Sequence, residues 1–376
     1  MACHMRRTPV GLPVGTTPLR SRLPHMTASI HRLPGPASSG SAGAPEPDRE
    51  QGRARIGIVY NPRSHRNRGQ DLYFGGREDV VVATPQTRSQ IVEVLADFAA
   101  RNIEYLVING GDGTVRDVLT CGHSVFGADW PVLAILPKGK TNALNVDLGA
   151  PADATLVEAI EAFEAGRRVV RRPLQITRLG DADGRGDGRA SGQGNDPLVG
   201  FILGAGAFTH AIGAGQGAHK LGFFDSLGVG VTTGWGVIQS VFGRNSNPWR
   251  RGVPMTIRLM PGGEPAPHSG HGDMSRREIL FVSTLYRMPM GLKPFGPERG
   301  GLKLAVMDRP KRWLMAALPL IVAGWQPKWL SRAGLHQIDA EAFELRVGGQ
   351  FILDGEAFEA GSYLVAQGPE LTFVVP

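Results

Sequence analysis

An apolar run, Tyr105–Asn109, leads into Gly110, Gly111, Asp112, Gly113 and Thr114, and then into Val115, Val118 and Leu119 at helical spacing. The run is long enough for one buried strand, and the spacing after it marks one face of a helix. Strand, glycine turn and helix together aim backbone N–H groups and a helix N-terminus at one place, an arrangement that holds a phosphate. Glycine suits such a turn because a Cβ would block close approach and because φ > 0 is open to it. The aspartate inside the turn is the unusual part. A carboxylate facing a polyphosphate is repelled unless a divalent cation lies between them, so Asp112 reads as a Mg²⁺ handle or a catalytic carboxylate. Asp-Gly by itself is a common tight turn. Five such residues directly after an apolar strand outweigh that plainer reading.

The neighbouring segments repeat the pattern. Arg55–Tyr60 is a strand that runs into the turn Asn61-Pro62-Arg63-Ser64, and Val80–Ala83 is a second strand ending at Thr84. Thr87 and Gln90 form a capping-box pair before a helix whose apolar face is Ile91, Val94, Leu95 and Phe98. Val132–Leu136 is another buried strand. It leaves through Pro137-Lys138-Gly139-Lys140-Thr141-Asn142 into a short helix ending near Gly149. Asp153–Gly166 reads as an amphipathic helix with Asp153 as N-cap, Gly166 as stop, and Leu156, Ile160 and Phe163 facing inward. Strands alternating with helices predict an open parallel sheet with ligands over the strand C-termini. Gly139-Lys140-Thr141 matches the end of a P-loop signature, but the first glycine of that signature falls at Ala134, inside the strand.

From Arg171 the pattern changes to short alternating strands and hairpin turns, which places a domain boundary near 170. Residues 180–196 are rich in Gly, Asp and Arg. Asp181, Asp183 and Asp187 lack the spacing and terminal Glu of a calcium loop, so the segment reads as a flexible hairpin tip. Val199–Ala207 is a buried strand with close backbone approach at its glycines, and Ser226–Phe242 a glycine-diluted helix. Arg309–Leu330 carries Trp313, Trp325 and Trp329, bordered by Lys311, Arg312, Lys328 and Arg332. Tryptophans beside cations suit a membrane interface or the lip of a lipid pocket, and equally a helix buried on the second domain. The chain closes with strands at Glu344–Val347, Gln350–Leu353, Ser362–Ala366 and Leu371–Val375, with Asp354-Gly355-Glu356 between them.

Composition narrows the partners. The net charge of +7 suits an anionic partner such as a nucleotide or an acidic lipid surface. No motif interleaves aromatic and basic residues for nucleic acid, so that class is set aside. Cys3 and Cys121 are the only cysteines, which leaves no disulfide framework and no Cys-based zinc site. No apolar run reaches the roughly 18–20 residues of a membrane span, and no apolar stretch follows Arg6 and Arg7 to make a signal peptide. Residues 1–54 are rich in Pro, Gly, Ser and Arg, with no acid before Glu46, and read as a disordered tail. The expectation is a cytoplasmic protein in peripheral contact with the inner membrane face.

The pentapeptide GGDGT after a strand resembles the diacylglycerol kinase catalytic family, which includes bacterial lipid kinases and sphingosine kinases. NAD kinases and phosphofructokinases share related turns. The ordered set NPRS, GGDGT, PKGKTN and DGE, with GFILGAGAF between, carries the resemblance from Arg55 to Pro376. It implies a nucleotide-binding α/β domain over 55–170 with an open parallel Rossmann-like sheet. A mostly antiparallel β-sandwich domain for the lipid follows over 171–376, with the active site in the cleft between them. It implies ATP and Mg²⁺ as cofactors. Nucleotide contacts carry over to Asn61, Thr84, Gly110, Gly111, Asp112, Gly113, Thr114, Gly139, Thr141 and Asn142, with Asp112 holding the metal. The catalytic carboxylate carries over to the last acidic turn. Glu356 is read there as the general base, with Asp354 as the alternative. The implied reaction moves the γ-phosphate of ATP to a lipid alcohol, diacylglycerol first among the candidates.

Three departures qualify the resemblance. The family usually reads Pro-x-Gly-Thr-x-Asn where this chain has Gly-Lys-Thr-Asn, which displaces Thr141 and adds the charge of Lys140. Many bacterial members build a structural metal site on an Asp-Gly before a strand of the second domain. The matching stretch here, Arg299-Gly300-Gly301-Leu302-Lys303, has no Asp. The asparagine often found on the preceding strand is absent near Ser283–Tyr286. The alternatives are a non-catalytic lipid or nucleotide binder of the same fold, and an NAD kinase, which needs an Asn-Glu pair that this chain lacks. The sequence is silent on oligomeric state.

Overall fold

The computed structural model describes residues 55–67, 79–139, 141–180, 196–207, 209 and 252–376. The tail over 1–54, the hairpin tip over 181–195, Lys140 and the helix expected at Ser226–Phe242 lie outside the described residues.

The N-terminal part alternates strands and helices as the periodicities require. The strands are β1 (Ile56–Tyr60), β2 (Val80–Ala83), β3 (Tyr105–Gly110) and β4 (Val132–Pro137). The helices are α1 (Arg88–Ala100), α2 (Asp112–Phe126), α3 (Ala143–Leu148) and α4 (Leu156–Ala165). The strands run parallel in the order β2-β1-β3-β4. That order reverses between β1 and β3, the kind of switch point over which ligands bind in open parallel sheets. Both faces are covered. On β3, Tyr105 and Val107 pack toward α4, while Leu106 and Ile108 pack toward α1 and α2. Period-2 burial on both sides explains why these strands read as unbroken apolar runs.

Helix ends follow side-chain chemistry. Thr87 caps α1 by accepting the amide of Gln90, but the Gln90 side chain reaches the amide of Gln86 instead of Thr87. At α4 the cap is Thr155, not Asp153. Thr155 and Glu158 exchange both bonds of a capping box, which a threonine three residues before a glutamate supplies and Asp153 does not.

Two antiparallel six- and seven-stranded sheets follow and pack face to face. Their shared core includes Leu203, Leu280, Leu304, Phe343, Phe351 and Val365. The expected single strand over Val199–Ala207 is two strands, Leu198–Gly200 in one sheet and Ile202–Gly206 in the other, with the chain crossing over at Phe201. The last strand, Leu371–Val375, does not join this sandwich. It returns to the first sheet, parallel to β4 and antiparallel to β5 (Arg167–Arg171). Its residues Leu371, Phe373 and Val375 are buried in the α/β core. The architecture is thus an α/β part with an open, mainly parallel sheet, followed by an antiparallel β-sandwich. Among the described residues no helix is long and apolar enough to cross a membrane.

Phe373 is fully buried, so Phe373→Ala should lower unfolding free energy in urea by about 3–5 kcal/mol. A loss below about 1 kcal/mol would show that the returning strand is not part of the core.

Candidate active site

The C-terminal ends of β1, β2, β3 and β4 bring four turns to one edge of the sheet. Asn61, at the end of β1, donates through Nδ2 to Thr114 Oγ1 at 2.8 Å and receives the amide of Arg63 at 3.0 Å. Its backbone bonds to Asn109 at the end of β3. Asn67 ties both together, donating to Asn61 O at 3.0 Å and Asn109 Oδ1 at 2.9 Å. Thr84, at the end of β2, is exposed, and its carbonyl accepts from Gln86. Thr141 is exposed on the loop after β4.

Of the two expected reasons for glycine in the central turn, positive φ does not apply. None of Gly110, Gly111 and Gly113 has a positive φ. A Cβ on Gly110 would overlap Thr114, and one on Gly111 would lie 2.8 Å from Cα of Gly139. A Cβ on Gly139 would meet Gly111 at the same distance. Two main chains therefore pack against each other, and the glycines are required for that contact rather than for left-handed backbone. Asn142 does take the left-handed region, at φ 50°, and closes its loop by bonding the amide and the carbonyl of Gly139.

Asp112 joins the same two turns. Its carboxylate accepts the amides of Asn142 and Ala143, each at 2.8 Å, at the start of α3. Burial raises its pKa, and those amide bonds oppose the rise. Asp354 is its counterpart from the sandwich. Where the chain crosses between sheets, the amides of Phe201 and Ile202 are left without strand partners, and the Asp354 carboxylate accepts both at 2.9 Å. Desolvation pushes Asp354 up to about 7, the neighbouring charge of Asp112 adds to this, and Arg116 works against it. Asp112 and Asp354 line one small cavity with Val115, Ala143, Leu144 and Phe201.

Glu356 lies just beyond, 40% exposed, and its Oε2 meets Arg88 at 2.5 Å and Arg116 at 2.7 Å. Both arginines also bond Asp117, at 2.9 and 3.0 Å. Arg116 stands one turn after Asp112 on α2, so the helix that begins at one acidic turn holds the other. Sequence reading missed Arg88, Arg116 and Asp117. A signal was present: Arg116 shares a helix face with Asp112, and Arg88 places a cation in the first turn of α1, against the helix dipole.

No three His, Cys, Asp or Glu side chains converge among the described residues. Mg²⁺ does not require that, because it is commonly held by one or two carboxylates together with substrate phosphates and water. The stretch without its Asp has a cation of its own. The buried Lys303 Nζ donates to the carbonyls of Leu285, Arg299 and Gly301 at 2.8, 2.8 and 3.2 Å. An ammonium ion thus occupies a cage of backbone oxygens, the donor type a hard metal would use.

Comparison with known proteins gives a family match, a partial relative and likenesses of fold. Residues 55–174 match the diacylglycerol kinase catalytic domain. A Klebsiella pneumoniae (strain 342) protein named "Probable lipid kinase YegS-like" is 30% identical over 106 residues, 28% of this chain and 33% of that protein. The match therefore spans about a third of that relative's length. The crystal structure of a diacylglycerol kinase from Bacillus anthracis str. Sterne aligns at a TM-score of 0.53 with 13% identity, covering 86% of this chain and 97% of that one. A second Bacillus anthracis str. Sterne structure aligns at 0.57 with the same identity and coverage. These likenesses extend the shared fold over both the α/β part and the sandwich.

Gly139→Ala should cost about 1–3 kcal/mol in chemical denaturation, because its Cβ meets backbone that no rotamer change can move. Gly113→Ala, with nothing nearer than 3.9 Å, should be neutral or slightly stabilising in the first turn of α2. Equal losses in the two variants would contradict the packing role.

Proposed function

We propose that this chain is an ATP-dependent lipid kinase that moves the γ-phosphoryl group of Mg–ATP to the hydroxyl of a lipid alcohol, with diacylglycerol the first acceptor to test. The observation that carries the reading is the meeting of Asp112 and Asp354 in one cavity, below turns packed for phosphate access. The family match over 55–174 supports the nucleotide half of the reading.

The residues present fit a divalent cation. Each carboxylate oxygen of Asp112 and Asp354 spends one lone pair on an amide and keeps another. Two acids that repel each other in a desolvated site are relieved by a cation between them. Bound there, Mg²⁺ would neutralise charge on the phosphates. Asn61, Thr114 and Asn142 would be donors for the triphosphate around the same turns, with Gly110, Gly111, Gly113 and Gly139 shaping them. Thr84 and Thr141 flank the approach.

Glu356 is the proton acceptor in this proposal. Two guanidinium groups hold its carboxylate in place, and its exposure lets a hydroxyl reach it. Asp354 is the second candidate. Its carboxyl near neutrality suits a base, but both oxygens already face backbone amides. In the step itself, the lipid hydroxyl gives its proton to Glu356 as its oxygen bonds to the γ-phosphorus. The bond to the bridging oxygen of ADP breaks in line. Arg88 and Arg116 would take up phosphate charge, and turning toward it would unload Glu356.

The test is incubation with labelled ATP, Mg²⁺ and a panel of diacylglycerol, sphingoid bases, prenols and NAD. Labelling of a lipid is expected; labelling of NAD alone would overturn the reading. ATP binding with no labelled product from any acceptor would favour a non-catalytic binder. Glu356→Gln should remove turnover by at least the roughly 10²-fold that general bases contribute, with ATP affinity nearly unchanged. Turnover retained in that variant would move the role to Asp354.

The raised pKa of Asp354 sets the pH dependence. Below about 7 its carboxyl is protonated and is a poor cation ligand; above it the carboxylate is available. Mn²⁺ affinity, read by electron paramagnetic resonance as a Mg²⁺ substitute, should therefore rise between pH 6 and 8. Asp354→Asn should flatten that rise. A flat profile in the unaltered protein would contradict the assignment.

A further inference from the structure

Helix α5 (Arg312–Val322) and the short helix α6 (Leu330–Ala333) form a shelf on the outer side of the sandwich. One side of it is core: Leu314, Met315, Ile321 and Leu330 pack on Met307 and Leu335. A polar pin holds it there. Ser331 bonds His336 at 3.0 Å, His336 bonds Asp308 at 2.9 Å, and Asp308 is also paired with Arg277. Burial alone would raise Asp308, but His336, Ser269 and Arg277 hold its carboxyl well below the usual range. The shelf is thus fixed in place by its inner face, and its outer face needs a separate explanation.

That outer face is apolar and cationic together. Leu320 is 62% exposed, and Trp313 and Trp325 are 48% exposed each. Trp329 stacks edge-on with both tryptophans, at 4.8 and 5.4 Å between ring centroids. A pocket of about 440 Å³ opens between Trp313, Trp329, Lys311 and Arg332. From 309 to 338 the chain has Arg309, Lys311, Arg312, Lys328 and Arg332 and no acid at all. The nearest acids are unavailable: Asp308 is buried, and Asp339 pairs with Arg299 at 2.8 Å. The segment Pro289–Lys293 lies alongside, with the Lys293 amide on the Val322 carbonyl, and it exposes Met290 by 88%. The same segment leads back to the candidate active site, because the Arg287 amide bonds Asp147 of α3 at 2.7 Å.

We propose that this shelf docks the protein on a bilayer containing anionic phospholipid, with Leu320, Trp313 and Trp325 entering the interface. A phospholipid headgroup phosphate would sit between Lys311 and Arg332. The occupant follows from charge and chemistry. Tryptophans with half their surface wet prefer the level of the headgroups, and a run of cations without acids adds attraction to anionic lipid that salt weakens. A protein partner would be expected to cover the exposed leucine and tryptophans with a complementary apolar surface. The pocket flanked by Lys311 and Arg332 offers cationic donors to a headgroup phosphate. The inference rests on the lipid kinase reading for its purpose, namely delivery of a lipid alcohol to the site beyond α3. The binding itself does not depend on catalysis.

The experiment is sedimentation of the full chain with vesicles of phosphatidylcholine alone and with 30 mol% phosphatidylglycerol (roughly physiological in surface potential), in low and high salt. Binding to the anionic vesicles only, weakened by salt, is expected. Leu320→Asp with Trp325→Ala should abolish it, and Lys311→Gln with Arg332→Gln should lower it at least about tenfold, about 1 kcal/mol being expected per cation. Circular dichroism should show each variant folded. Because Leu320 and Trp325 are exposed, Leu320→Ala alone serves as a second, milder variant should the first fail to fold, and it should weaken binding measurably. Absence of binding by the unaltered protein, or full binding by the folded variants, would overturn the proposal. A Leu320-dependent dimer seen by analytical ultracentrifugation in place of vesicle binding would assign the face to a second copy and overturn it as well. ATP turnover on a short-chain, water-dispersed lipid should be unchanged in these variants. Loss of that turnover in the unaltered protein would count against the kinase reading and leave the vesicle result standing.

Discussion

Two carboxylates, one from each half of the molecule, each take a pair of backbone amides that the fold would otherwise strand. Asp112 takes those of Asn142 and Ala143, and Asp354 takes those of Phe201 and Ile202. A buried N–H without a partner costs on the order of 1–3 kcal/mol, so each aspartate stabilises a local chain path that glycine or alanine could not. Both end at one cavity, where the charge of Asp112 adds to the cost of ionising Asp354. In the proposed reading, the groups that hold this site together are the same ones a cation would use.

Helix α2 is the element that couples the halves. Its first turn carries Asp112. Its second carries Arg116, which bonds Glu356 and the carbonyls of Leu353 and Asp354. Further along, Thr120 exchanges hydrogen bonds with both the amide and the carbonyl of Val199. The returning strand Leu371–Val375 adds a covalent tie, since the chain leaves the sandwich to complete the first sheet. Relative motion of the halves is therefore restrained on two sides, which would suit the proposed transfer between two substrates held in line.

Much of the α/β part was legible in the sequence because burial on both faces leaves long apolar runs, and helices between them declare their faces by spacing. The four turns and their order were legible too. What the glycines do was not. Close packing of Gly111 on Gly139 is a contact between residues far apart in the chain, and sequence spacing carries no trace of it. The crossover at Phe201 was hidden for a related reason: an apolar run looks the same whether it stays in one sheet or passes between two. The home of Leu371–Val375 was hidden likewise, since an edge-to-edge choice of partner is a tertiary decision. The arginines around Glu356 were in view as residues but unconnected, because charge pairing across the fold follows from topology. At α4, a local rule did hold the answer: Thr155 with Glu158 is the stronger cap signal than Asp153.

The most direct measurement is a double-mutant cycle on Mg–ATP binding by calorimetry, with Asp112→Asn, Asp354→Asn and the pair. If both acids hold one cation, either change should remove most of the Mg²⁺-dependent affinity and the pair should add little, a coupling of about 1–3 kcal/mol. Additive losses, or full Mg–ATP affinity in Asp354→Asn, would contradict the shared crevice on which the account stands.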